Sequence, residues 1–134
     1  MKFDEIQKIL LEFFSAKDEV HLVVLFGSYA KGTAMTSSDM DVAVYGASPL
    51  GADEKAGLID ALQQRLRLPV DLVDLHTADP LIFRQIFTKG VILLNRSATA
   101  YEKILRRLVY DEADFLPLVR RTLRERANRF ANGQ

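Results

Sequence analysis

The chain contains no cysteine. That excludes a disulfide framework and any thiolate metal site, and it fits a reducing cytosol. It also lacks a long apolar run: the opening stretch MKFDEIQKILLEFFSAKDEV scatters charges among its apolar residues and reads as neither a signal peptide nor a membrane span. Net charge is absent too, with 18 basic against 18 acidic side chains, which argues against non-specific coating of nucleic acid. The phosphate-binding pattern G-x-x-x-x-G-K-[ST] does not occur. The two histidines, His21 and His76, stand too far apart in sequence to suggest a zinc pair, and no serine–histidine–acid arrangement has local support. There is no internal repeat and no low-complexity segment.

What remains is a chain of 134 residues, 49% hydrophobic, which suits one domain with a real core. Phe3, Ile6, Leu10, Phe13 and Phe14 recur at helical spacing over residues 3–16. The run VHLVVLFG (20–27) reads as a buried strand. DMDVAVYG (39–46) is a second strand, with Val42 and Val44 on one face and Asp39, Asp41 and Ala43 on the other. Leu58, Leu62 and Leu66 mark a helix over 53–68 that Pro69 stops, and VDLVDL (70–75) is a third strand. Pro80 opens a short helix that Gly90 ends in the manner of a C′ glycine, before a fourth strand, VILLN (91–95). From about residue 98 to 130 the pattern is helical, broken near Pro117. The expectation is an α/β (α+β) fold, a small mixed sheet flanked by helices. Its core would span about 18–96, with a C-terminal helical extension.

Charge is unevenly placed within this neutral chain. Residues 115–134 hold Arg120, Arg121, Arg124, Arg126 and Arg129 against Glu125 alone, a net +4 that leaves −4 on the rest. A basic segment on an acidic body suits a localised contact, although such arginines also serve as a solvated face.

Residues 25–45, LFGSYAKGTAMTSSDMDVAVY, hold the feature that most needs explaining. Two acids one residue apart open a strand that is otherwise apolar. Desolvating a carboxylate costs several kcal/mol unless a positive partner meets it. Side chains at i and i+2 of a strand share a face, about 6.5–7 Å apart, so Asp39 and Asp41 can converge on metals spaced about 3.5–4 Å. Mg²⁺ is suited to such oxygen ligands. An isolated Asp-x-Asp is more often a solvated strand end. Upstream, Gly27 ends a buried strand and Ser28 begins a turn of helix, where free N–H groups and a hydroxyl form a phosphate cradle. Taken alone, that pair is far more often a helix cap. Lys31, in the first turn, would neutralise a polyphosphate or simply be an exposed lysine.

The combination is sharper than its parts: strand, Gly-Ser, ten residues, then Asp-x-Asp opening the next strand. It resembles the DNA polymerase β-type nucleotidyltransferase superfamily, whose minimal members carry this motif at the spacing of Gly27, Ser28, Asp39 and Asp41. The resemblance covers roughly residues 20 to 95, including PVDLVDL. It implies a nucleoside triphosphate bound by two Mg²⁺ ions, attack of an acceptor hydroxyl on the α-phosphate, and loss of pyrophosphate. Asp39 and Asp41 would then hold the metals, and Gly27, Ser28 and Lys31 the phosphates. A third carboxylate is implied on the next central strand. Asp71 fits its apolar-Asp-apolar setting, but Asp74 is a rival, and strand alternation only places the two on opposite faces.

Within the superfamily, size and motif are most similar to the minimal nucleotidyltransferase antitoxins of HEPN/MNT toxin–antitoxin systems. That resemblance implies AMP transfer from ATP onto a tyrosine of a HEPN ribonuclease toxin. The toxin would be the acceptor and complex partner of a cytoplasmic protein with no membrane and no direct nucleic-acid substrate. Only about 39 residues follow VILLN, too few for a deep acceptor pocket, so the acceptor is expected on a partner or completed by a second copy. Two alternatives stay open: a small-molecule (aminoglycoside-type) nucleotidyltransferase, and a non-catalytic antitoxin that acts by binding alone.

Overall fold

The computed structural model describes residues 2–35 and 38–110, together with Arg124 and Ala127, both helical. The elements in order are α1 (Phe3–Ser15), β1 (Val20–Phe26), α2 (Gly27–Lys31), β2 (Met40–Gly46), α3 (Ala52–Leu66), β3 (Val70–Asp74), α4 (Pro80–Lys89) and β4 (Val91–Asn95). A further helix, α5, covers 98–110. The expected break near Pro117 and four of the five tail arginines lie outside the described residues.

The four strands form one mixed sheet in the order β3-β2-β1-β4. β1 pairs antiparallel with both β2 and β4, while β2 and β3 run parallel. The parallel pair requires a crossover, and α3 supplies it. Both sheet faces are covered, which explains why β1 is apolar without alternation. On one face, Ile6, Leu10 and Phe14 of α1 and Leu58, Leu62 and Leu66 of α3 pack on Val42, Val44 and Leu72. On the other, Phe83 and Ile86 of α4 and Ile104 of α5 pack on Leu22, Val24 and Ala43. Phe14 and Phe83 are wholly buried, so truncating either to alanine would cost about 3–5 kcal/mol.

Two arginines fasten the periphery. Arg96, just past β4, donates to the carbonyls of Phe14 (2.9 Å) and Lys17 (2.7 Å), tying β4 to the end of α1. Arg107 of α5 donates to the carbonyls of Leu75 (2.7 Å) and Ala78 and lies 4.0 Å above the Phe83 ring. Among the described residues no helix is long and apolar enough to cross a membrane.

One expectation is corrected. Gly90 does not end α4 through a left-handed C′ conformation, since its φ of −84° and ψ of 169° are extended. A side chain is excluded there for a different reason. An added Cβ would lie 2.3 Å from the Ile86 carbonyl oxygen and 2.7 Å from Val24 Cγ1, so the glycine lets the chain turn tightly against β1 as it enters β4.

Candidate active site

The C-terminal end of β1 and the start of β2 lie side by side, with Phe26 opposite Asp41. At that point the strand expected to run through residue 27 stops. Gly27 takes φ +73°, a left-handed conformation that favours glycine, and turns the chain into α2. The same glycine makes room for an acid: a Cβ at position 27 would sit 2.1 Å from Asp41 Oδ2. The Asp41 carboxylate therefore rests against the bare backbone at the Gly27–Ser28 turn. Ser28 is half-buried, and among the described residues nothing accepts a hydrogen bond from its hydroxyl.

The parallel register between β2 and β3 sets Asp71 directly beside Asp41. Asp39 precedes Asp41 by two residues and is exposed. Burial first, then the Asp71 carboxylate and then that of Asp39, push the Asp41 carboxyl above its usual range. Among the described residues it makes no hydrogen bond or ion pair to offset these costs.

Asp74 is placed quite differently. It pairs with Val44, on the α1/α3 face, and is 5% exposed. Its carboxylate accepts from the Leu50 amide (2.8 Å) and the His76 amide (2.9 Å). That arrangement pins the loop into α3 to the end of β3. The histidines are also apart from the acids: His76 stacks on Tyr45 with ring centroids 4.1 Å apart, and its Nε2 lies 2.8 Å from the Gly46 carbonyl oxygen.

A cleft of about 250 Å³ opens over Asp41, lined by Phe26, Gly27, Lys31, Gln85 and Lys89 as well. Gln85 and Lys89 come from α4 and were not singled out by the sequence. Their presence depends on β4 returning antiparallel to β1 with Leu25 opposite Val91, which brings the end of α4 over the Gly27 turn.

Residues 7–99 match the family model described as polymerase beta, nucleotidyltransferase. The chain belongs to the polymerase β nucleotidyltransferase family. The protein adenylyltransferase MntA of Shewanella oneidensis is 39% identical over 72 residues, 54% of this chain. The matched stretch is 52% of MntA, so the chain spans about half the length of that curated relative. Among solved structures, a chain of a toxin–antitoxin crystal structure with AMP-PNP superposes with a TM-score of 0.71 at 27% identity, covering 93% of each chain. A chain from the complex of tri-AMPylated Shewanella oneidensis HEPN toxin with MNT antitoxin gives a TM-score of 0.60 at 26% identity, covering 96% of this chain and 90% of that one.

Among the described residues the candidate site offers only oxygen ligands, Asp39, Asp41 and Asp71, with no histidine or thiol beside them. Such a set matches Mg²⁺. Among the described residues, no three acidic or imidazole groups close into a metal cage. Magnesium does not require one, because it keeps waters and usually takes one or two protein carboxylates plus substrate phosphates. The carboxylate of Asp41, crowded by Asp71 and Asp39 and without a partner among the described residues, is the feature that fits a cation here.

Proposed function

We propose that this nucleotidyltransferase transfers AMP from ATP to a tyrosine hydroxyl of a HEPN ribonuclease toxin, with Mg²⁺, and so neutralises the toxin as its antitoxin. One observation carries the reading. Among the described residues, Asp41 is held without a counter-charge between Asp39 and Asp71, against a glycine turn whose serine hydroxyl meets no acceptor. Acids that crowd together in a cleft at a cost in folding energy mark a functional site. The family gives that site its reaction class, and the likeness to toxin–antitoxin structures supports a protein acceptor.

Asp39, Asp41 and Asp71 would hold magnesium, which when bound offsets charge on the transferring phosphoryl group. The turn at Gly27 and Ser28 receives the β- and γ-phosphates through backbone N–H groups and the serine hydroxyl, with Lys31 adding positive charge. Gly27 lets those phosphates approach the backbone. Asp71, exposed at the edge of the site, faces the incoming hydroxyl. The acceptor oxygen bonds to the α-phosphorus as the bond from that phosphorus to the α–β bridging oxygen breaks. The electron pair leaves with pyrophosphate, and the hydroxyl proton passes to Asp71 and on to water.

Isotope position tests this directly. With Mg²⁺ and a purified HEPN partner, label in the α-phosphate of ATP should appear on the partner, and label in the γ-phosphate should not. Transfer of γ-label would make the protein a kinase. Transfer of neither, with label found instead on an added aminoglycoside, would move the acceptor to small molecules.

A further inference from the structure

The cleft has two cationic walls, and the nucleotidyltransferase motif accounts for only one. Lys31 ends α2 on one side. Lys89 ends α4 on the other, with Gln85 one helical turn before it, and both line the cleft above Asp41. Residues four apart on a helix share a face, so an amide and an ammonium stand together along this wall. Among the described residues neither Lys89 nor Lys31 closes an ion pair with Asp41 or any other acid. The two ammonium groups are thus available to a ligand, while the acids gather at the strand ends below.

That separation of charge matches a magnesium–polyphosphate. Carboxylates on the floor suit the metal side, and cations on the walls suit phosphate oxygens beyond it. We infer that Lys89, aided by Gln85, is a phosphate-binding residue that grips the β- and γ-phosphates opposite Lys31 and so selects a triphosphate over a monophosphate. This rests on the nucleotidyl-transfer reading above. Lys89 also occupies the last turn of α4, where any cation complements the helix end, so the test must separate ligand contact from helix support.

α,β-Methylene-ATP serves as the probe, because its α–β link resists cleavage. It is titrated into the full-length protein with Mg²⁺, beside AMP, for wild type, Lys89→Gln, Lys89→Arg and Gln85→Ala. Losing one charge-assisted contact should weaken α,β-methylene-ATP binding by about tenfold in Lys89→Gln and leave AMP binding within about twofold. Lys89→Arg should restore most of the difference, and Gln85→Ala should lose less than Lys89→Gln. Equal weakening toward both nucleotides, or an unchanged affinity for α,β-methylene-ATP in Lys89→Gln, overturns the inference while leaving nucleotidyl transfer intact. A wild-type protein that does not bind α,β-methylene-ATP at all overturns the transfer reading, and the role of Lys89 with it.

Discussion

Asp41 and Asp74 are acids on adjacent parallel strands, three register steps apart and on opposite faces of the sheet. Asp74 is the more deeply buried, yet two backbone amides meet its carboxylate. Asp41 receives no donor among the described residues and has Asp71 and Asp39 for neighbours. Buried polar groups in proteins are normally satisfied, so an unsatisfied one asks for a reason. Asp74 is explained by the fold it fastens. On the function proposed above, Asp41 is explained by the cation it would receive.

Substitutions at the two ends of this comparison should therefore fail differently. Asp41→Ala or Asp39→Ala should lower transfer to the partner by at least about a thousandfold, since metal-borne charge stabilisation is worth several kcal/mol, with the circular dichroism spectrum retained. Asp74→Ala should do the reverse: about 3 kcal/mol less stability from two orphaned amides, read by urea denaturation, with transfer preserved where the protein is folded. Asp71→Asn, beside Asp41, should reduce single-turnover rate by about a hundredfold while nucleotide affinity changes little. If Asp74 variants lost turnover and Asp71 variants lost only stability, the roles given to the two faces would be exchanged.

The raised pKa of Asp41 sharpens the contrast. Its folded carboxyl titrates above the unfolded value, so the favourable contribution of the protonated form is complete below the ordinary aspartate range and is lost as pH rises through the raised value. At neutral pH the ionised group works against folding. Asp41→Asn should then raise the melting temperature of the metal-free protein at pH 7, and the gain should shrink as pH falls toward about 4. Added Mg²⁺ should stabilise wild type more than Asp41→Asn. A variant that melts lower than wild type at pH 7 without metal would contradict the crowding of charge at this site.

The smallest effect is expected in the basic tail. Arg120, Arg121 and Arg124 belong to a segment of which the structure describes only Arg124 and Ala127. A charge pair at the rim of an interface contributes about 0.2–1 kcal/mol, so replacing all three with glutamate should weaken transfer to the partner by about tenfold and spare ATP binding. An unchanged rate would make the tail a solvated face.

Much of the candidate site's geometry is legible along the chain because it is local. Gly27, Ser28, Asp39 and Asp41 lie within one turn-and-strand unit, where spacing and alternation translate directly into geometry. The rivalry of Asp71 and Asp74 was different in kind, since alternation separates their faces without saying which one Asp41 occupies. Only the parallel register of β2 against β3 brings Asp71 to its side. Lys89 and Gln85 were beyond reach for a similar reason. Their place over Gly27 follows from β4 crossing back to pair with β1, a non-local contact with no signature in the helix itself. Gly90 marks a helix end in the sequence, but its close approach to Ile86 and Val24 belongs to tertiary packing.

Intact mass of a co-expressed HEPN partner tests the central claim most directly. With the wild-type protein the account predicts a partner heavier by one or more AMP residues, and with Asp41→Asn a partner of unmodified mass that retains ribonuclease activity. A partner silenced by the wild-type protein yet unmodified, or one still AMP-bearing after Asp41→Asn, would contradict it.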